Sequence, residues 1–501
     1  MTQTLATSLN RRHIIHAMAM GGVASTGLYA PLAQAFTLTR DDVFSRAADG
    51  LSDTLETFHI PLRGKIPSGL RGTLYRNGPA RFKLGTTHYR HWFDGDGMVQ
   101  AFNFADGQAS HRGVLLRTIK RMEEESNGRF LYAGFGTEMS DSKPIPKPDT
   151  VNAANISMLS MNHGRDLYAL WEGGSATQLD PISLDVIGFK AWSPETAGAP
   201  FSAHPRRAPD GTVWNFGYAA HSGKLIIYEI SAQGQLKRQT VIDAPQADMV
   251  HDFAITKNHL VFLLMPLHTK PDSRPTGNLD RYEWHQKAPL IALLVSKADF
   301  SVKHVDLPNG GVFHLGNAWE EAGVIRLGYA RYGQFLEHLK GLVLPSPRVS
   351  ANQLASWTQV EINLSTNTAR QFDTSLHGIE FPSFDTRHTG EKTDMTVLMQ
   401  NSFTTTDALW GMDTVLTLTS DDKIQRYSYG KDWIAEEHLL VPLPGSRSAA
   451  NSWILGTAFN LITQKTTLSI FEAKTLSRGP VAQLTLPYGL PLGLHGQFVP
   501  S

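Results

Sequence analysis

Residues 156–189 read ISMLSMN, HGRD, LYALWEGG, SATQLD, PISLDVIGF. The pattern is strand, turn, strand, turn, strand: short apolar runs cut by Gly, Asp, Asn and Pro, the residues that end strands. The unit returns at 212–242 as TVWNFGYAA, HSGK, LIIYEIS, AQGQ, LKRQTVI, and at 250–266 as VHDFAIT, KNH, LVFLLMP. Further copies lie near 415–429 and 453–486. Long helical periodicity is scarce, and residues 335–343 are the place for one short helix. The units recur every ~40 to 70 residues, the period of propeller blades. The expected fold is therefore all-β, a seven-bladed β-propeller over residues 36–501, with a pair of β-sandwiches as the competing architecture. Seven blades would take about 67 residues each. That leaves room for long insertions at 117–150, 267–290 and 332–357.

Composition narrows the chemistry. Lys+Arg and Asp+Glu are both 46 among 501 residues, so the basic excess of a nucleic-acid binder is missing. There is no cysteine. Disulfides, thiolate catalysis, zinc–cysteine sites and iron–sulfur clusters are thereby excluded, and a transition metal would have to be held by His, Asp or Glu. Of the 20 histidines, four stand among small or apolar neighbours at or just before a predicted strand. They are His204 in FSAHP, His251 in MVHDF, His314 in VFHLGN and His495 in GLHG. Each would need a polar partner if buried. They are 47, 63 and 181 residues apart. Inner propeller strands meet at one axis, so ligands at blade-scale spacing can converge there, and imidazole suits iron, copper or zinc. Four neutral ligands leave the full charge on the metal, which favours carboxylates on the outer ring nitrogens. Glu172 in LWEGG and Glu380 in GIEFP sit in apolar settings of that kind. By the residues alone, ligand, core and surface roles for any single histidine all stay open.

Seven motifs in order then carry a resemblance along the whole of 36–501. They are Gly72–Pro79 (GTLYRNGP), His91–Val99 (HWFDGDGMV), Leu170-Trp171-Glu172, Ala203-His204-Pro205, Met249–Phe253, Glu380-Phe381-Pro382 and Gly493–Gly496. The chain resembles the carotenoid cleavage oxygenases, a family that includes lignostilbene dioxygenases and the retinal pigment epithelium isomerase. The resemblance implies a seven-bladed propeller with Fe(2+) on its axis and a dome of loops over one face. It implies His204, His251, His314 and His495 as metal ligands. It also implies three glutamates behind them: Glu172 with His251, Glu380 with His314 and Glu437 with His495. Glu436, adjacent to Glu437, leaves the third assignment loosest. The glycines of HWFDGDGM are expected to make tight turns near the site.

Four histidines leave at most two metal positions open for O₂. The implied reaction splits a carbon–carbon double bond of a small apolar polyene into two carbonyl products. It asks the protein for position and dryness rather than for a side-chain base. Phe93, Phe135 and Trp171 are the candidates for the substrate tunnel. Family members that cleave phenolic alkenes place a Lys beside the glutamate and a Tyr in the early loop; here those positions align with Trp171 and Phe135. An apocarotenoid or carotenoid is therefore the expected substrate, with a phenolic alkene of the lignostilbene or isoeugenol type as the alternative. A propeller that only binds a ligand, or isomerises a retinoid ester, is the reading from another class, and the full histidine set argues against it. Two apolar groups, Phe130-Leu131-Tyr132 with Phe135 and Leu339 with Leu342–Leu344, could form a mouth in peripheral contact with a membrane. Lys120, Arg121 and Lys340 would then be its basic rim.

Residues 1–35 read as an export signal of the twin-arginine type. Arg11-Arg12 precede a weakly apolar stretch, and Ala33-Gln34-Ala35 supplies small residues at a cleavage position. The mature protein is then expected in the periplasm or outside the cell. Replacing Arg11 and Arg12 by Lys should hold the precursor in the cytoplasm. Fractionation that still finds exported mature protein would refute the twin-arginine route.

Overall fold

The computed structural model describes residues 53–270, 279–344, 347–402 and 411–501; the export segment lies outside them. Seven antiparallel sheets follow one another along the chain, as the strand units predict. Blade 2 runs from its inner strand Ser157–Met161 through Asp166–Leu170 and Ala176–Leu179 to Val186–Lys190. Blade 3 is Arg206–Arg207, Val213–Tyr218, Lys224–Ile230 and Leu236–Asp243. Blade 4 begins at Phe253–Ile255, blade 5 at Gly311–Glu321, blade 6 at Ile379–Phe384 and blade 7 at Trp433–Pro442. One segment departs from the expectation. SATQLD was read as a turn, yet Ala176–Leu179 is a full strand between two neighbours. The turn falls later, where Asp180 accepts from the backbone N–H groups of Ile182 and Ser183. A Pro and an Asp flanking the segment mimic a loop in sequence, while its pairing partners are made by the rest of the blade.

Two blades close the ring, each mixing the chain ends. In blade 1 the inner strand is the C-terminal His495–Pro500, paired to Gly72–Arg81 with His495 opposite Asn77. In blade 7 the outer edge is Leu62–Gly64, paired to Ala482–Thr485. Closure removes the exposed edges that an open stack of sheets would present.

Middle strands are buried on both faces, because blades pack side against side. Val213–Tyr218 is buried but for its last residue, whereas the outer strand Leu236–Asp243 is largely exposed. Between blades 3 and 4, the rings of Phe216, Phe253 and Phe262 lie with centroids 5.2 Å apart in each pair. Aromatic pairs of this geometry add about 0.5–1.5 kcal/mol each beyond their burial.

Strand alternation fixes which face carries the insertions. Connections from a blade's outer strand to the next inner strand, and from second to third strand, share one face. Residues 116–156, the hairpin Leu267–Thr269 with Tyr282–Trp284, and the helix Phe335–Gly341 all lie in such connections. They join in one apolar cluster through Phe82, Tyr89, Trp92, Phe130, Leu279 and Phe335. This is the expected dome. The stretch 117–150, read as irregular, also holds the helix Ile119–Asn127, capped by the Thr118 side chain.

Among the described residues, no helix is long and apolar enough to cross a membrane. Three histidines outside the axial set are buried neutral. Burial pushes His111 and His438 down to about 3 and His338 down to about 4. In the unfolded chain each would titrate near ~6.5. As pH falls through that value the unfolded state takes up protons that the folded state refuses, so stability is lost on acidification. The urea midpoint should therefore fall steadily from pH 7 to pH 5, above the range where carboxylates dominate; a flat midpoint would contradict this.

Candidate metal centre

The inner strands deliver the four histidines to one point. His204 and His251 stand two residues before the inner strands of blades 3 and 4, His495 opens that of blade 1, and His314 is the fourth residue of that of blade 5. All four lie at the dome end. One nitrogen from each falls within 4.8 Å of the others. Nε2 of His204 is 3.0 Å from Nε2 of His251, and Nε2 of His314 is 3.0 Å from Nε2 of His495. His314 and His495 are buried; His204 and His251 are partly exposed. Burial holds His204 and His314 well below the usual imidazole range, and the neighbouring imidazoles add to the effect. Both are therefore neutral, the form that binds metal.

Three of the rings are oriented from behind. Nδ1 of His251 is 2.8 Å from Glu172 Oε2, Nδ1 of His314 is 2.5 Å from Glu380 Oε2, and Nδ1 of His495 is 2.9 Å from Glu437 Oε1. A carboxylate accepts only, so each Nδ1 carries the proton and each Nε2 is a bare lone pair. The glutamates are held in turn. Glu172 accepts from the Tyr218 hydroxyl at 3.3 Å, Glu380 from the Tyr332 hydroxyl at 2.5 Å, and Glu437 from the Gly496 N–H at 2.8 Å. Burial raises the Glu380 carboxyl. Burial also pushes Glu437 up, but His495 and Arg76 outweigh it and hold its carboxyl below the ordinary value. Backbone irregularity makes room for these side chains. Register shifts fall between Val312 and Leu315, Glu380 and Ser383, and Ala435 and His438. Bulges of this kind re-aim side chains at propeller and barrel rims. In the third bulge Glu436 and Glu437 part company: Glu436 accepts from Thr457 and from the Gly493 N–H, leaving Glu437 to His495.

The donor set fits a transition-metal ion. The bare lone pairs of His314 and His495, facing one another at 3.0 Å, repel unless a cation lies between them. Two nitrogens at right angles and about 2.1 Å from a shared ion lie about 3.0 Å apart, against about 3.4 Å for a tetrahedral pair.

The family described as retinal pigment epithelial membrane protein matches residues 50–500. The chain belongs to that family. The apocarotenoid-15,15'-oxygenase of Synechocystis is 29% identical over 456 residues, covering 87% of this chain and 92% of the relative. The isoeugenol monooxygenase of Pseudomonas nitroreducens is 26% identical, covering 89% and 95%. A crystal structure of the cobalt-substituted Synechocystis oxygenase superimposes with a TM-score of 0.83 at 25% identity, over 93% of this chain and all of that one.

On the dome side, the centre of this carotenoid-oxygenase propeller is walled by aromatic rings. Phe93 lies 6.0 Å from Phe135 and 5.9 Å from Phe313, and Phe313 lies 4.7 Å from His251. Phe313 was missed from sequence: strict alternation would turn it away from its neighbour His314, and only the bulge brings both to one side. Phe381, at a left-handed φ of 52°, also meets His314 and His495, each at 5.4 Å. The HWFDGDGM motif supports this wall. Asp94 accepts from the N–H groups of Phe135 and Gly136, at 2.6 and 3.2 Å. Its glycines permit close approach rather than turns. Gly95 has φ −64°, and a Cβ on Gly97 would meet the Ala154 carbonyl at 2.3 Å. Trp171 is not part of the ring cluster; it packs over Gly173, in the turn that presents Glu172.

The apolar mouth needs correcting. Phe130, Leu131, Tyr132, Leu339 and Leu342 are buried under the dome. Lys120 and Arg121 are no rim either. Lys120 is buried against Asp96 and Glu124, and Arg121 against Asp53 and Glu125. Only Val343 and Lys340 remain exposed as read.

His314→Ala should lose nearly all bound metal, and Glu380→Gln should weaken metal retention by roughly 10- to 100-fold while the protein stays folded. Metal analysis of the purified variants checks both; full occupancy in His314→Ala would sink the assignment.

Proposed function

We propose that this chain is a non-haem iron(II) oxygenase that cleaves a double bond of an apocarotenoid or carotenoid with O₂, releasing two carbonyl products. The carrying observation is the set of four histidine Nε2 atoms converging without a carboxylate among them, beside a wall of phenylalanines. His204, His251, His314 and His495 would hold the iron. When bound, it would supply the redox chemistry by which O₂ reacts with a closed-shell alkene.

The chain's own residues do the rest. Glu172, Glu380 and Glu437 keep three imidazoles neutral at Nε2 and fixed in direction. Phe93, Phe135 and Phe313 offer faces on which a flat conjugated chain lies, and exclude water from the reacting carbons. No side chain need move a proton, and the nearby polar groups are already engaged. Tyr218 and Tyr332 donate to glutamates, and His91 bonds the Leu339 carbonyl at 3.0 Å and the Phe93 N–H at 3.2 Å. A phenol bound among these rings would lose its water partners, at about 1–3 kcal/mol. A polyene has no such group to satisfy. The apocarotenoid oxygenase and carotenoid dioxygenase names among the relatives support this substrate class.

Export through Arg11-Arg12 belongs to the same proposal, placing the enzyme in the periplasm. A peripheral membrane contact would use the exposed Ile119, Met122 and Ile187, which border an open cleft with Val186 and Phe189.

The test incubates iron-loaded protein with an apocarotenal and with a 4-hydroxystilbene in the same detergent. Aldehyde should form from the apocarotenal under oxygen. Cleavage of the hydroxystilbene with the apocarotenal untouched would move the assignment to phenolic alkenes, and protein that retains no iron would overturn the oxygenase reading.

A further inference from the structure

On the side of the histidines away from the dome, one guanidinium ties three ligand-bearing strands together. Arg206 stands two residues beyond His204. Its Nη2 donates to both oxygens of Asp252, at 2.8 and 2.7 Å, and to the Leu315 carbonyl at 3.0 Å. Its Nε donates to the Phe253 carbonyl at 2.7 Å. Asp252 and Phe253 directly follow His251, and Leu315 directly follows His314. Asp252 is itself saturated: Oδ2 accepts from the Leu315 N–H at 2.8 Å and Oδ1 from the Phe253 N–H at 2.7 Å. The guanidinium lies 5.6 Å from the ring centre of Phe384, in the inner strand that carries Glu380.

The Asp252 side chain is 1% exposed. An ion pair so buried is a poor device for stability alone, since desolvation offsets its attraction and an apolar pair of similar volume serves as well. What an apolar pair lacks is direction. A guanidinium is a rigid planar fork whose donors fix the angles and spacing of the groups they bind. Every group bound here lies one or two residues from a histidine. The histidine nearest Arg206 is also the one with least support. Among the described residues no carboxylate bonds the His204 ring. Its own N–H donates to Ser202 Oγ at 3.0 Å, and its Nε2 lies 3.0 Å from His251 Nε2.

We propose that Arg206 and Asp252 are positioning residues of the metal centre: their fork sets the spacing of His204, His251 and His314 through the backbone and replaces the carboxylate that His204 lacks. This rests on the four histidines being the ligands, and the test separates the two claims. Wild type, Arg206→Lys, Arg206→Met and Asp252→Asn are loaded with cobalt(II). The visible absorption bands and the release rate to a chelator are recorded, with the unfolding midpoint of each metal-free protein. Arg206→Met and Asp252→Asn should release cobalt about 10-fold faster or more, with altered bands. Arg206→Lys, which keeps the charge without the fork, should move the same way by less. A purely structural pair would lower the metal-free midpoint and leave bands and release rate alone. Wild-type bands and release in folded Arg206→Lys and Asp252→Asn would overturn the proposal, and Arg206→Lys decides should Arg206→Met fail to fold. Wild type that binds no cobalt would instead overturn the ligand assignment itself.

Discussion

Four imidazoles are brought to one point, and holding them there is the constraint that the rest of the structure serves. No local motif could do it, because these histidines stand up to 291 residues apart. A closed ring of sheets can, since each inner strand runs beside the axis and ends at the same height. The price is that the last of the four histidines depends on ring closure. His495 opens a C-terminal strand that is held by pairing with Gly72–Arg81, so the N-terminal part of the chain helps to complete the centre. Arg76 in that strand donates to the Glu437 carbonyl at 2.7 Å and lies 3.5 Å from Glu436, tying blade 1 to the carboxylate behind His495.

Charge is arranged to the same end. The three carboxylates stand behind the imidazoles and face the axis only through them, each with its second oxygen occupied by a hydroxyl or an amide. They supply compensating negative charge without competing for the metal. The Tyr332 phenol is buried and pushed well above its ordinary range by burial and by Glu380. It therefore stays a donor, and its hydrogen bond opposes the burial that raises the Glu380 carboxyl. Toward the dome the neighbours become apolar, so the open side of the centre admits carbon rather than charge.

Much of this was legible in the sequence because it is written in local context. The blade units show as apolar runs between turn residues, and each of the four converging histidines stands out as a polar ring among small or apolar neighbours where a strand begins. Glu172 and Glu380 are readable for the same reason. What could not be read depends on backbone irregularity or on distant partners. Phe313 precedes His314, and alternation assigns it to the opposite face until the bulge at 312–315 is known. Glu436 and Glu437 are equivalent in sequence; the bulge at 435–438 separates them. Lys120 and Arg121 read as an exposed basic rim because their acidic partners Asp96 and Asp53 lie 24 and 68 residues away. SATQLD carries turn residues at its end and is a strand because two neighbours pair with it.

The misread charges matter for function. Lys120, Asp96 and Glu124 form a buried ion cluster beneath the dome, with the Lys120 ammonium 4.8 Å from the centre of the Tyr89 ring. Tyr89 in turn stacks on Phe130 at 3.9 Å. These groups brace the segment that leads, through Asp94, to Phe135. The early loop is thus stiffened from below by paired charges and sets Phe135 beside Phe93. Among the described residues, Tyr218, Tyr332 and His91 beside this wall are engaged with protein partners, which suits a long, featureless polyene better than a polar substrate. Selectivity among double bonds then has to come from length and shape, read by rings whose positions are set by hydrogen bonds and ion pairs that the substrate never touches.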